Sequence, residues 1–208
     1  MKIILLCDNR QQEELTAQGL NTSLELVRVD DPTSLTALKA DACIDLLFDK
    51  TSERIKRLSA MQTNLVIVNS VVHTLDELPA GFIRINGWSS FLKRSVIEAA
   101  GPGSLKENVE QLFSLFNKKI EWTEDIPGFI SARVVVSIIN EAYFALQEQV
   151  STKEEIDIAM KLGTNYPLGP FEWGRKIGLK NVYSLLTRLS QEQKRYLPAA
   201  LLNKEANN

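Results

Sequence analysis

The chain has 208 residues, of which 44% are hydrophobic and 24% are charged, and its formal net charge at pH 7 is −2. This profile is that of a globular protein with one substantial core and room for a smaller second unit. The slight acidic excess argues against nucleic-acid binding, which usually needs a basic surface to neutralise phosphates. The apolar run at the N-terminus is too short for a signal peptide or a membrane span, so we expect a cytoplasmic protein.

The chemistry-bearing residue types are sparse. The sequence holds one histidine and two cysteines, Cys7 and Cys43, each inside an apolar run. We therefore expect two reduced, buried thiols, because free cysteine behaves as a small hydrophobic residue. Without a cluster of His, Cys or carboxylate residues at ligand spacing, the sequence predicts no metal site.

The first half alternates short apolar runs with polar or helical stretches. Strands are predicted at residues 2–7, 24–29, 43–48, 65–68 and 82–85, with helices at 11–18 and 52–61. Such alternation favours βαβ units and a mostly parallel sheet. Ser104 and Glu107 then have the spacing of a capping box ahead of an amphipathic helix. A short strand at 120–123 is predicted to close this first domain, residues 1–124.

From residue 126 the pattern is helical throughout, which predicts a small all-α domain over 125–208. The segment 130–146 is apolar on nearly every side, as expected for a central helix or one that contacts another subunit. Ser151 with Glu154, or Thr152 with Glu155, is predicted to cap the next helix, and Gly163 to stop it. Further helices are predicted at 171–177 and 181–189, followed by a loose tail at 203–208.

Four motifs in this second half carry a family resemblance. They are PGFISAR at 127–133, NEA at 140–142, EEIDIAMKLG at 154–163 and YPLGPFE at 166–172. In this order and spacing they resemble the 3-hydroxyacyl-CoA dehydrogenase family, in its 3-hydroxybutyryl-CoA dehydrogenase-like form. The resemblance implies a degenerate Rossmann-like domain followed by a helical one. It also implies NAD-dependent oxidation of 3-hydroxyacyl-CoA to 3-oxoacyl-CoA in fatty acid metabolism, and a homodimer formed through the helical domain.

The cofactor loop that the resemblance implies is changed in this chain. In the family the first strand runs into G-x-G-x-x-G, whose glycines let the backbone approach a pyrophosphate. The aligned residues are Cys7, Asn9 and Gln12, whose side chains would crowd that phosphate. Asp30, at the end of the second strand, stands where the family places its ribose-binding acid. NAD is therefore implied by the resemblance alone, and binding in the usual mode is not expected.

The catalytic pair is changed as well. The family uses a His twelve residues before a Glu, and these positions hold Asn86 and Glu98 here. An amide does not titrate near pH 7 and cannot act as a general base. The substrate-contacting Ser of the family aligns with Val71 or Val72, and the Asn of its PGFxxNR motif aligns with Ala132.

Three hypotheses remain open. We favour a catalytically impaired or inactive homologue that acts as a binding or interaction module, with an acyl-CoA-like ligand or an active relative as partner. The alternative is an active oxidoreductase of fatty acyl-CoA metabolism with an altered site, for which His73 is a candidate displaced base. A third is different chemistry at the same place, with Glu98 and one of three neighbours: Ser89, Ser90 or Lys93.

Overall fold

The computed structural model describes residues 1–37 and 39–208. These residues form two compact units, Met1–Phe129 and Ile130–Asn208, which are treated separately below. Among the described residues, no helix is both long enough and apolar enough to cross a membrane.

The first unit is built on a seven-stranded sheet, ordered β2-β1-β3-β4-β5-β6-β7 in the described residues. Its strands are β1 Lys2–Leu6, β2 Glu25–Val29, β3 Ala42–Asp45, β4 Leu65–Asn69, β5 Phe82–Ile85, β6 Val96–Ala100 and β7 Lys119–Trp122. Strands β1 to β5 pair in parallel, β6 is antiparallel to β5, and β7 is parallel to β6. The strand order reverses beside β1, as in a Rossmann-like sheet, and the predicted α/β class is confirmed.

Apolar side chains cover both faces of this sheet, because alternate strand residues point to opposite sides. One face packs against α1 (Asn9–Thr16) and α3 (Lys106–Ser114), which contribute Leu15 and Phe113. The other face packs against α2 (Ser52–Ser59) through Leu58. The carboxyl ends of the parallel strands therefore stand on a rigid, two-sided core.

The predicted capping box at Ser104 is wrong. Ser104 lies inside a 3₁₀ turn, Gly103–Leu105, and its hydroxyl does not cap α3 in the described structure. The turn is closed by a hydrogen bond of 3.1 Å from the Leu105 amide to the Pro102 carbonyl. Because this turn occupies the position of the cap, α3 begins only at Lys106.

The second unit consists of helices, as predicted. These are α4 Ser131–Gln147, α5 Lys153–Thr164, α6 Pro170–Ile177, α7 Leu179–Ser190 and α8 Ala200–Ala206. Of the two proposed caps for α5, the structure uses Thr152, whose hydroxyl accepts the Glu155 amide at 3.2 Å. On α4 the inner residues are buried, whereas Val134 is 53% exposed.

Two expectations about helix ends are wrong. Gly163 does not stop α5, which ends one residue later with Asn165 in the left-handed conformation, φ 56°. Asn tolerates this conformation better than most residues, so it competes with Gly for the role. Residues 203–206 are not a loose tail, because α8 contains them and buries Leu202 and Ala206.

Candidate functional site

The antiparallel pairing of β5 with β6 brings the predicted pair Asn86 and Glu98 together. Asn86 directly follows β5 and Glu98 lies on β6, and the Asn86 amide nitrogen of the backbone donates to the Glu98 carbonyl at 3.0 Å. Their side chains also meet, with Asn86 Nδ2 donating to Glu98 Oε2 at 3.0 Å. Asn86 is buried, and Glu98 lines an open depression shared with Arg94, Ser95, Val96 and Glu121. The amide can orient this carboxylate, but it cannot take up a proton near pH 7.

Two charged side chains hold the loop that joins Asn86 to Glu98. The Glu14 carboxylate accepts the Ser89 hydroxyl at 2.8 Å and the Ser90 amide at 2.7 Å. From the other side, Lys118 Nζ donates at 2.7 Å to the carbonyls of Leu92 and Arg94. Ser89 therefore serves to position the loop through Glu14, and this argues against the hypothesis that pairs it with Glu98.

Lys118 is a structural residue that sequence reasoning missed. It is buried, and burial lowers the pKa of its ammonium group to about 8, with the Glu14 charge opposing that shift. Its two carbonyl partners lie 24 and 26 residues away along the chain. Two consecutive lysines predict a surface position, and only the tertiary structure shows that Lys118 is buried.

The first turn of α1, where a dinucleotide phosphate would lie, is capped by the protein itself. Asp8 is the N-cap, and its carboxylate accepts the Gln11 amide at 2.7 Å. In return, the Asp8 backbone amide donates to the side-chain oxygen of Gln11 at 3.1 Å. In a glycine-rich loop these helix N–H groups face the anion instead. A fixed carboxylate now stands at that end of the helix.

The other sequence-predicted cofactor positions surround a single guanidinium group, that of Arg28 on β2. Its Nη1 donates to Asn9 Oδ1 and, at 3.0 Å, to Gln12 Oε1. Its Nε and Nη2 both reach Asp30 Oδ1, at 2.9 and 2.7 Å. Sequence reasoning proposed Asn9, Gln12 and Asp30 as cofactor contacts but did not notice Arg28, whose only signal was a charge inside an apolar run.

Cys7, the first position of the altered loop, is a buried thiol at the end of β1. Burial raises the pKa of Cys7 to about 11, although the nearby Arg28 charge opposes the shift. These residues do not fit NAD in the family's usual mode, because side chains and a carboxylate take the place of the glycine backbone. Asp30 is also already engaged by Arg28.

His73, the candidate displaced base, belongs to a separate cluster after β4. Its Nδ1 lies 3.0 Å from Glu77 Oε2, and Lys50 Nζ donates to the same oxygen at 2.6 Å. Partial burial alone would raise the pKa of Glu77, but the hydrogen bonds from Lys50 and His73 hold it at about 2. The cluster thus places His73 in an ion-pair network on the surface of the first unit.

The fully buried Arg84 fastens the loops around this edge. It donates to the carbonyls of Ser70 at 3.0 Å, His73 at 2.7 Å and Ile126 at 2.6 Å. Its Nε forms an ion pair with Asp125 at 2.7 Å, and its guanidinium lies 4.1 Å from the centre of the Phe129 ring. Arg84 therefore joins the segment after β4 to the last residues of the first unit.

In the second unit, the YPLGPFE motif has an architectural role. The buried Asp157 of α5 accepts the backbone amides of Phe171 at 2.8 Å and Glu172 at 3.2 Å, and so caps the N-terminus of α6. A Cβ on Gly169 would lie 2.3 Å from the Asp157 carboxylate. The glycine is required by this close approach, and the motif marks a helix corner.

Ala132, at the family's Asn position, is buried in α4, and Arg133 lies over the ring of Tyr196 at 5.7 Å. In the part of the chain that the structure describes, no three His, Cys, Asp or Glu side chains are grouped to hold a metal ion.

Among the comparisons with known proteins, the family model matches the second unit. The family model described as 3-hydroxyacyl-CoA dehydrogenase, C-terminal domain, matches residues 128–208. A 3-hydroxyadipyl-CoA dehydrogenase of Escherichia coli is 37% identical over 110 residues, covering 52% of this chain and 23% of that protein. A 3-hydroxybutyryl-CoA dehydrogenase of Bradyrhizobium diazoefficiens is 37% identical over 100 residues, covering 47% and 34%. The chain thus spans only about a quarter to a third of these relatives.

The likeness of the fold extends further than that of the sequence. The crystal structure of a (S)-3-hydroxybutyryl-CoA dehydrogenase from Ralstonia eutropha superposes with a TM-score of 0.71, covering 98% of this chain and 92% of the other. The two are 17% identical, so this match concerns the fold alone. The likeness of the fold therefore also covers the part of the first unit that these sequence matches do not reach.

Proposed function

We propose that the chain, whose residues 128–208 match the 3-hydroxyacyl-CoA dehydrogenase C-terminal domain, is a catalytically inactive member of that family that serves as a binding or interaction module. The observation that carries this proposal is the contact of 3.0 Å between Asn86 and Glu98. The geometry of a paired donor and carboxylate is present, but the donor is an amide. Losing a general base typically removes about 10² to 10⁴ in rate.

The changed phosphate turn supports the same proposal. A dehydrogenase of this family needs NAD as hydride acceptor, and the Asp8 cap and the Arg28 contacts oppose its usual binding mode. Both requirements of the reaction, a base and a cofactor, are weakened independently. We propose residues 1–124 as the degenerate Rossmann-like functional domain and 125–208 as the helical one.

An acyl-CoA-like compound is the ligand we propose. Both relatives described above are named as dehydrogenases of acyl-CoA compounds. The depression beside Glu98 offers the Arg94 guanidinium and the Ser95 hydroxyl as hydrogen-bond donors, which a thioester carbonyl would accept. The module would thus hold its ligand without oxidising or reducing it.

The first experiment measures turnover and binding together. We expect no NADH-dependent reduction of acetoacetyl-CoA, while acetoacetyl-CoA alone raises the melting temperature more than free CoA does. Asn86→His is expected to remain inactive, because the cofactor site stays unsuited to NAD. Glu98→Gln serves as the matched negative control.

Reduction of acetoacetyl-CoA by the wild-type protein above the rate of Glu98→Gln would support the alternative, an active oxidoreductase with an altered site. Absence of any thermal shift with acetoacetyl-CoA would contradict the ligand-holding role.

We also propose a homodimer formed through the helical domain. Large apolar side chains are exposed on two of its helices: Ile130 and Val134 at the start of α4, and Ile158 and Leu162 on α5. Leu162 is 83% exposed, which is costly for an unpartnered leucine. Light scattering after size exclusion should give twice the 23.4 kDa chain mass, and Leu162→Glu should shift the protein towards the monomer. A monomeric wild type would contradict the dimer.

A further inference from the structure

The contacts of Arg28 account for most of its hydrogen-bonding capacity. A guanidinium carries five N–H donors in a planar fork. Two on Nη1 bind Asn9 and Gln12, and the one on Nε binds Asp30, which also forms an ion pair with Nη2 at 2.7 Å. Three of the five donors therefore form hydrogen bonds inside the protein, to residues that are 16 and 19 positions before Arg28 and two after it.

These partners are the same residues that align with the cofactor contacts of the family. Asn9 and Gln12 align with the second and third glycines of the phosphate loop, and Asp30 with the ribose-binding acid. Cys7, at the first glycine, is close enough for the Arg28 charge to influence its pKa. Three of these positions thus contact the Arg28 side chain, and the fourth lies near it.

We propose that Arg28 is a built-in occupant of the former dinucleotide site, and that the positions which once bound NAD now bind this guanidinium. The cluster of Asn9, Gln12, Arg28 and Asp30 joins α1 to β2, so the first strand–helix–strand unit needs no cofactor to complete it.

Replacement of the dinucleotide by Arg28 is consistent with the charges at the carboxyl edge of the sheet. A pyrophosphate would meet the Asp8 carboxylate at the N-terminus of α1, where like charges repel. Arg28 is positive, and it lies between neutral amide oxygens and Asp30. A ribose hydroxyl approaching Asp30 Oδ1 would compete with a charge-assisted bond from Arg28, which is stronger than a neutral one. The site therefore selects the internal cation over an anionic dinucleotide.

The test compares variants of two arginines on the same side of the unit. Arg28→Ala is expected to lower the melting temperature by about 3–6 °C, because several charge-assisted hydrogen bonds are lost together. Arg28→Lys keeps the charge but loses the fork, and we expect it to lose about half as much. Arg10→Ala is the control, since Arg10 makes one long exposed ion pair with Glu14 at 3.4 Å and should shift the melting temperature by about 1 °C or less.

Unchanged melting temperatures in both Arg28 variants would overturn the proposal. If Arg28→Ala does not fold, Arg28→Lys decides the question: a larger loss than in Arg10→Ala supports the proposal, and an equal loss overturns it. These measurements use no CoA compound and no turnover, so they are independent of the proposed function.

Titration with NAD and NADH provides the second readout. The wild-type protein should show no thermal shift and no quenching of tryptophan fluorescence at about 1 mM of either compound, about tenfold above a dissociation constant of about 0.1 mM. A saturable shift of the wild-type protein with NADH, unchanged in Arg28→Ala, would show that the cofactor binds regardless of Arg28 and would overturn the proposal. No shift in either protein supports it.

Discussion

The corner between α5 and α6 and the carboxyl edge of the parallel sheet each contain a buried carboxylate, but the two differ in how it is satisfied. Asp157 in the corner accepts two backbone amides of α6 and lies 3.7 Å from Arg175. Asp45, at the end of β3, accepts the Leu47 amide at 3.1 Å and lies 3.5 Å from Arg54, and its Oδ2 accepts no hydrogen bond. Backbone amides therefore satisfy both carboxylate oxygens of Asp157, whereas one oxygen of Asp45 accepts no hydrogen bond.

This difference explains why the family motifs are recognisable in the second unit and altered at the edge of the sheet. At the corner, the polar residues and Gly169 hold two helices together, so any change there costs stability. At the edge of the sheet, the positions that align with the family's cofactor loop hold residues that find partners within the chain, as Asn9, Gln12 and Asp30 do with Arg28. Family motifs in the second unit therefore report architecture, and they do not report activity.

The largest effect that we expect tests the corner. Asp157→Ala would leave the amides of Phe171 and Glu172 without their acceptor and would remove the cap of α6. We expect a loss of about 3–5 kcal/mol in the free energy of unfolding. Urea denaturation measures it, and Glu154→Ala, at an exposed position of the same helix, is the control. A loss below about 1 kcal/mol for Asp157→Ala would remove the contrast between the two regions.

The next effect tests the edge of the sheet through its pH dependence. Burial raises the pKa of Asp45 to about 7, although the Arg54 charge opposes the shift. Between about pH 4, near the value in the unfolded chain, and about pH 7, the folded protein holds a proton that the unfolded chain has released. This carboxyl group's contribution to stability is therefore fully present below about pH 4 and is lost as the pH rises to about 7.

The contribution amounts to about 4 kcal/mol across that window. Asp45→Asn should flatten this part of the pH profile, measured as urea midpoints from pH 4 to 8. Glu13→Gln, at an exposed position of α1, should leave the slope unchanged. A wild-type profile that rises from pH 4 to 7 with the same slope in Asp45→Asn would contradict the assignment.

The smallest effect concerns the two thiols, which we expect not to react with an alkylating reagent in the native protein. Burial raises the pKa of Cys7 to about 11 and that of Cys43 to about 12. Both thiols are therefore protonated at pH 8, and a protonated thiol is a poor nucleophile. Iodoacetamide at pH 8 should label neither residue in the native protein and both in urea, as measured by mass spectrometry. Rapid native labelling of Cys7 would show that the altered phosphate turn is open.

The sequence predicted those parts of the molecule that local pattern controls. Alternating apolar runs indicated the parallel sheet, and motif spacing indicated the helical unit and the positions of Asn86 and Glu98. The Arg28 cluster and the role of Lys118 were missed, because their partners lie far apart in the chain and depend on tertiary packing. The helix end at Asn165 was missed because Gly163 carries a stronger local stop signal, although Asn also adopts the left-handed conformation that ends α5.

The fully buried Arg84 has a consequence for how the first unit opens. Its guanidinium bonds the Ile126 carbonyl and pairs with Asp125, and the neighbouring Gly128 amide donates to the Val71 carbonyl at 2.7 Å. We therefore expect the segment 125–129 to exchange its amide protons together with the sheet and not by local fraying. Proteolysis within this segment should then require subglobal unfolding of the first unit.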